Sequence, residues 1–325
     1  MFQALNRCLV ATALIYAFAA SAALAQAQTI KVVVPYGAGG FIDSIARGYS
    51  NQLSNDLGQS LIVENKVGAG GKIGEDYVAA SPPDGATLLV SLALRPTLAK
   101  ATTPAPDVKD LDMLKSFAVV GALASSPLLM SVPPSLGVKD FKGLVAKIKA
   151  EPGKHSYGSP GPGTPGAIVG ALLVKQLGLD IAHVPYRGGA AALPDLMSGV
   201  LTWMIDTPTG SGALVESGKV VPMFVIDNKR LPAFPNIPTT IELGYPQFDN
   251  MISTVFLMAP AAMPRPMLDK LHASLLRAQK DPAIVKMLAQ LRLTPPPADL
   301  SIEAATRLAA EQIAAWEKPI KALGQ

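Results

Sequence analysis

Four segments of this chain offer hydrogen-bond donors without offering a nucleophile or a metal ligand. The first is Tyr36, Gly37, Ala38, Gly39 and Gly40, and the second is Ser91 at the end of an apolar run. The third covers residues 159–164, with Ser159, Gly161, Gly163 and Thr164, and the fourth is Tyr186, Arg187, Gly188 and Gly189. Backbone N–H groups and hydroxyls of this kind hold a carboxylate well and have no means of transforming it. Arg187 has two readings, and both stay open: a charged donor to an anion, or an ordinary surface side chain.

Catalytic constellations are absent from the linear sequence. The three histidines, His155, His183 and His272, sit in no H-E-x-x-H pattern and beside no other plausible ligand, which argues against zinc. There is no G-x-S-x-G elbow, no phosphate-cradling G-x-x-x-x-G-K-[ST], and no evident carboxylate pair for glycosidase work. A Ser–His–Asp triad assembles in space, so the sequence does not rule one out, but no residue nominates itself as nucleophile. His183 lies in an apolar run and reads as a buried, hydrogen-bonded structural side chain. No cofactor is expected.

The elements that must carry these residues follow a strand–loop–helix order. Residues 30–34 are β-branched and apolar, and Pro35 ends the strand for want of an N–H. Ile42, Ile45, Ala46, Tyr49, Leu53 and Leu57 then recur at a helical period, with Gly58 placed to stop the helix. The first helical N–H groups lack intrahelical partners and carry the positive end of the helix dipole, so an anion is the natural guest. The plain alternative is a tight turn with no ligand. Asp43 either sits in the first turn for the sake of that dipole or orients the glycine loop beside the ligand; the first is the simpler reading.

Strands over 61–63 and 87–90, separated by a helix over 73–80, predict βαβ units and a parallel sheet. The loops after Val34 and Val90 then share the rim where such sheets bind ligands. Strand-like runs at 117–123 and 128–132, a break at Pro133 and Pro134, and a basic amphipathic helix over 141–150 mark the crossing into a second domain. The opening design then recurs. It runs as strand 155–158, loop 159–164, a nearly all-apolar and hence buried helix 167–177, strand 181–184, a glycine loop, helix 190–197, and strand 201–205 ending at Asp206. Strands at 220–226 and 253–258 follow, the latter returning toward the first domain. The helical tail presents Ile302, Ala305, Leu308, Ala309, Ile313, Trp316 and Ile320 on one face, expected against that domain.

Length and composition bound the function. Among 325 residues, the first 25 read as a cleaved secretory signal peptide, with Arg7, an apolar alanine-rich stretch and an Ala23-Leu24-Ala25 cleavage site. The single cysteine, Cys8, lies inside it, so the mature chain has no thiol or disulfide chemistry. What remains is long enough for about two domains with substantial cores. The chain is 49% hydrophobic and 16% charged, and its net charge of +4 is scattered with no basic stripe, so nucleic acid is not an expected partner.

Residues 32–40, with Asp43, Ala46 and Arg47 after them, resemble the first loop of the tripartite tricarboxylate transporter substrate-binding proteins, also called the Bug family. The likeness continues through residues 63–66 and 68–71, Ile73-Gly74, Pro83-Asp84-Gly85, residues 87–89 and 157–161, and Gly163-Thr164-Pro165. It runs on through residues 183–188 and 235–239 and Ala259-Pro260, nearly the whole mature chain in order. The resemblance implies a two-lobed α/β fold of the periplasmic binding protein kind (type II), each lobe a mixed, mainly parallel sheet flanked by helices. Lobe 1 would take residues 26–125 plus 250–325, lobe 2 residues 126–249, with the ligand cleft between them. It implies a periplasmic solute-binding protein, not an enzyme; a monomer is the expected state. Such a protein captures a small organic carboxylate and delivers it to a two-subunit membrane permease. By the same resemblance, loops 36–40 and 159–164 grip the carboxylate, partly through bridging water, with Asp43 beside the first loop. Ser91, Tyr186, Arg187, Gly188 and Asp206 help line the cleft.

The chain also departs from that family. Gly166-Ala167 stands where many members have Ser-His, Ala171 where they have Glu, residues 91–95 where they have a glycine-rich stretch, and Ser253-Thr254 where they have an aromatic pair. Leu92, Leu94 and Trp203 are candidates for an apolar distal cleft favouring an aromatic or branched acid, with Trp203 equally readable as core. Two other functional readings stand beside the transporter receptor: an exported hydrolase or transferase on a similar scaffold, and a sensor subunit presenting ligand to a receptor kinase.

Overall fold

The structure is a computed structural model that describes residues 29–94, 111–227, 229–248 and 251–322; the expected signal peptide lies outside the described residues. In chain order the first part holds β1 (Ile30–Val34), α1 (Phe41–Leu57), β2 (Leu61–Asn65), α2 (Lys72–Ala79), β3 (Thr87–Leu92), a single turn α3 (Met113–Ser116) and β4 (Phe117–Ser126). The middle holds β5 (Leu128–Val132), α4 (Phe141–Ala150), β6 (His155–Ser159), α5 (Pro165–Leu177), β7 (Ile181–Pro185), α6 (Gly189–Ser198), β8 (Trp203–Asp206), α7 (Pro208–Glu216) and β9 (Val221–Ile226). The chain closes with β10 (Ser253–Pro260), α8 (Arg265–Gln279), α9 (Pro282–Gln290) and α10 (Ile302–Ala322).

The strands form two five-stranded mixed sheets, ordered β2-β1-β3-β10-β4 and β7-β6-β8-β5-β9. Each has three parallel strands, then an antiparallel strand that comes directly from the other sheet, then an edge strand. The two halves therefore repeat one design, as the two-lobed α/β fold requires. Buried β-branched and leucine residues drive it: Val32, Val33 and Val34 on β1 and Leu88, Leu89 and Val90 on β3 are each no more than 1% exposed.

Strand register puts the carboxyl rims of the two sheets at one junction. Ser253, the first residue of β10, pairs with Ser126, the last of β4, at the carboxyl end of the first sheet. Only Pro127 separates Ser126 from β5, and Leu129 on β5 pairs with Asp206, the last residue of β8. The crossings thus join the carboxyl rim of one sheet to the carboxyl rim of the other. A small polar network fastens this point: Ser125 Oγ and Thr254 Oγ1 lie 2.6 Å apart, and Gln312 on α10 donates to Thr254.

Helix α10 does more than cover the first sheet. Ala305 and Ala309 pack with Phe117 and Val119 of β4, as its apolar face suggests. Trp316 and Ile320 instead join the cluster that holds Ile168, Val169 and Leu172 of α5, so the last helix braces both sheets. Among the described residues, no helix is long and apolar enough to cross a membrane.

Candidate functional site

The first loop leaves β1 and enters α1 through Gly40, whose N-cap position has no side-chain cap. Phe41 and Ile42 therefore open the helix with N–H groups that have no intrahelical acceptor. Asp43 shapes the loop from below. Its carboxylate accepts the Gly39 N–H at 2.9 Å, the Arg47 Nε–H at 2.9 Å and the Asn65 amide at 2.8 Å. Asn65 also donates to the Tyr36 carbonyl at 3.0 Å, locking the loop after β1 to the end of β2. Burial alone would raise the Asp43 pKa, but the bonds from Arg47, Gly39 and Asn65 outweigh it and hold the carboxyl below its ordinary range. Of the two readings of Asp43, loop orientation is the one the geometry carries.

The second loop follows β6. Thr164 caps α5, its Oγ1 accepting the Ala167 N–H at 3.4 Å while donating to the Gly161 carbonyl at 2.7 Å, and Pro165 takes the first helical position. Gly161 has φ +125°, and a Cβ there would lie 2.8 Å from the Tyr186 carbonyl, so glycine alone fits. Helix α5 lies unusually close to its sheet. A Cβ on Gly166 would overlap the Ile205 carbonyl, and one on Gly170 would lie 2.6 Å from the Tyr157 ring. The departure at Gly166 thus has a packing reason: no side chain has room there.

The third loop is stitched to the second by Tyr186 N–H to Ser159 carbonyl and Gly188 N–H to Pro160 carbonyl, both 3.0 Å. The Tyr186 hydroxyl is committed to Asp195 on α6 at 2.5 Å; burial and that carboxylate push its pKa up to about 12. Arg187 is exposed. Asp206 sits flush against two backbones, since a Cβ on Gly189 would lie 2.5 Å from its carboxylate and one on Gly210 would overlap it. Burial pushes its pKa up to about 6, opposed only by the Thr207 N–H. It faces the first residues of α6 and α7, whose dipoles favour a negative charge.

The sheet β7-β6-β8-β5-β9 thus gathers Ser159, Gly161, Gly163, Thr164, Tyr186, Arg187, Gly188 and Asp206 at one rim, and the sheet β2-β1-β3-β10-β4 gathers Tyr36, Gly37, Ala38, Gly39, Gly40 and Asp43 at another. Ser91 does not join them. It is fully buried and donates to Glu75 on α2 at 3.0 Å, on the far face of its sheet. Leu92, Leu94 and Trp203 are also core residues, with 4%, 0% and 1% exposure, so they build no apolar wall in this structure. Trp203 stacks on Tyr157 at 4.2 Å and 9°, and Tyr157 on His183 at 4.7 Å and 19°.

His183 corrects one expectation. β7 is an edge strand, so the residue is exposed rather than buried, although its hydrogen bond to Ser159 Oγ, at 2.8 Å, is present. A Ser–His contact brings hydrolysis to mind. Ser159, however, has no exposed surface, its Oγ already accepts the Gly161 N–H, and no carboxylate bonds His183 among the described residues. Nor does any group of three His, Cys, Asp or Glu residues among the described residues form a metal site. Helix α7 went unread in the sequence, because its Thr, Ser and Gly residues mask the helical period; the helical signal is Pro208 at the first position.

Two cavities of about 230 Å³ lie elsewhere. One is lined by Ile30, Leu57, Asp84 and Met267 at the opposite end of β1, the other by Tyr49, Gln279, Leu288 and Pro295. Neither touches the loops described above.

Comparison with known proteins agrees with this arrangement. Protein BugT of Bordetella pertussis is 31% identical over 271 residues, covering 83% of this chain and 82% of BugT. The solved structure of MatC from Rhodopseudomonas palustris with bound malate superimposes with a TM-score of 0.80 at 28% identity, covering 90% of this chain and 98% of that one. Another R. palustris protein, solved with adipate, gives a TM-score of 0.81 at 29% identity, covering 91% and 97%. Residues 45–325 match the family described as the tripartite tricarboxylate transporter family receptor. With a two-sheet architecture, paired strand-end loops and a family match over most of its length, the chain belongs to the tripartite tricarboxylate transporter receptors, the Bug-type solute-binding proteins.

Proposed function

We propose that this protein is a periplasmic receptor that captures a small organic carboxylate between two lobes and releases it, unaltered, to a membrane permease of two subunits. The lobes are residues 26–125 with 250–325, and 126–249. Loops 36–40 and 159–164 are the grips, with Asp43 and Asp206 behind them and Tyr186, Arg187 and Gly188 at the side. One observation supports the reading: both crossings between the sheets fall at the rims that bear these loops, as a crevice shared by two lobes requires. Relatives of similar structure hold malate and adipate, which supports a carboxylate as the ligand class. Residues 1–25 act as a cleaved signal peptide, and the mature chain works as a monomer without a cofactor.

A thermal-shift and calorimetric screen of mono-, di- and tricarboxylates and aromatic acids tests this. The expected result is saturable one-to-one binding of a carboxylic acid that raises the melting temperature. Shifts produced by sugars or amines and by no acid would overturn the ligand class, and recovery of a chemically changed ligand would overturn the receptor role.

A further inference from the structure

The second loop is held by a side chain that lies outside it. Ser159 Oγ accepts the Gly161 N–H at 3.2 Å and lies 2.8 Å from His183 Nε2. An amide N–H only donates, so the hydroxyl proton of this fully buried serine has one acceptor among the described residues, His183 Nε2. That assigns the imidazole proton to Nδ1. The ring cannot drift, because it stacks on Tyr157, itself stacked on Trp203, in register across β7, β6 and β8. The groups that face His183, Tyr157 and Ser159, are neutral, and the partial loss of water around a ring packed on them on one side lowers its pKa.

We propose that His183 is a positioning residue for ligand capture: by accepting the Ser159 hydroxyl it orients Ser159 Oγ toward the Gly161 N–H and holds loop 159–164 in its anion-receiving shape. The proposal rests on the reading that this loop takes the carboxylate. A protonated imidazole has no lone pair at Nε2, so the hydroxyl proton loses its acceptor and the anchor loosens. Capture therefore weakens as pH falls through the titration of His183, which is lowered from the ordinary histidine value.

The test uses the mature chain and three substitutions. His183→Phe keeps a flat ring on Tyr157 and removes the acceptor; His183→Gln returns an acceptor near the Nε2 position; Ser159→Ala removes the anchor. Amide hydrogen exchange across residues 159–164 without ligand is one readout. The other is calorimetric affinity for malate and adipate from about pH 5 to 8. His183→Phe is expected to speed exchange in the loop and weaken binding about tenfold, with His183→Gln staying within about threefold of wild type. His183→Phe should add nothing in the Ser159→Ala background, and the pH dependence beyond that of the acids' own ionisation should vanish in both. Unchanged loop exchange in His183→Phe, an equal loss with Ser159 absent, or a wild-type pH profile in Ser159→Ala would each overturn the proposal. If neither acid binds the wild type, the ligand reading fails on its own, and the exchange comparison still decides the role of His183. If His183→Phe fails to fold, exchange and pH profiles of Ser159→Ala and His183→Gln decide it.

Discussion

Residues 36–40 and 159–164 each follow the second strand in the order of their sheet, β1 and β6, and each spends one glycine N–H on a side-chain oxygen. In the first loop Gly39 donates to Asp43, a carboxylate with two further partners; in the second Gly161 donates to Ser159, a neutral hydroxyl. The glycines differ as well. A Cβ on Gly37 would meet nothing within 4 Å, whereas one on Gly161 would lie 2.8 Å from the Tyr186 carbonyl and one on Gly166, at the start of the helix that follows the loop, would overlap backbone. The first loop is thus open and braced by charge, the second wedged and braced by neutral contacts. The same topological position can be made rigid by two unrelated means, and they differ in what breaks them.

The largest expected effect is steric. Gly166→Ala should destabilise the protein by about 3 kcal/mol, because the new methyl must displace the Ile205 carbonyl. Gly37→Ala should stay within about 0.5 kcal/mol. Urea denaturation measures both, and equal losses would erase the distinction between an open loop and a wedged one.

Next comes Asp43→Ala, expected to cost about 2 kcal/mol by leaving the Gly39 N–H, Asn65 and Arg47 without their common acceptor. Its pH signature follows from the lowered pKa. The folded protein holds the Asp43 proton less tightly than the unfolded chain, so the stabilisation is complete above the unfolded value near 3.8 and is lost as pH falls through the folded value. Denaturation midpoints of Asp43→Asn should lack this part of the acid sensitivity.

Asp206 should behave in the opposite sense and sharpen the contrast between the two carboxylates. Its folded pKa of about 6 lies above the ordinary 3.8, so the folded state binds the proton more tightly. The ionised form then penalises folding above about pH 6, and the penalty vanishes below about pH 4. Asp206→Asn should gain about 1–2 kcal/mol at pH 8 and nothing near pH 4, read from melts across that range. A loss at pH 8 would mean that the helix N-termini satisfy the charge more fully than its burial suggests.

The smallest effect belongs to the contact between α7 and the turn after α9. Arg292 pairs with Glu216 at 2.6 Å, and Thr209 donates to the Leu291 carbonyl at 2.6 Å. Arg292→Ala should cost about 0.5 kcal/mol, since the Glu216 end of the pair is exposed to water, and the loss should shrink with added salt.

Much of this was legible beforehand. The alternation of apolar runs with glycine and proline breaks located β1, α1, β5 and α4 closely, because Pro35, Gly58 and Pro133 end the first three and the helical apolar period of α4 buries Phe141, Leu144 and Ile148. The loops that bear donors were visible for the same reason. The burial of Ser91 and the exposure of His183 are not legible in the sequence, because they depend on which side of the sheet is covered and which strand lies at the edge. Ser91 turns toward Glu75 on α2, and His183 sits on β7 with no strand beyond it. The sequence leaves Trp203 as wall or core with equal reason, and the stacking of Tyr157 upon it makes it core.

Local chemistry along the chain therefore settled the elements, their order and the donor character of the loops, since propensity, capping and periodicity act over a few residues. The pairing of Ser126 with Ser253 and of Leu129 with Asp206, which brings the two rims to one junction, belongs to contacts far apart in sequence. So do the opposite pKa directions of Asp43 and Asp206, because a carboxylate's proton affinity is set by the partners folding brings to it and by the water folding takes away.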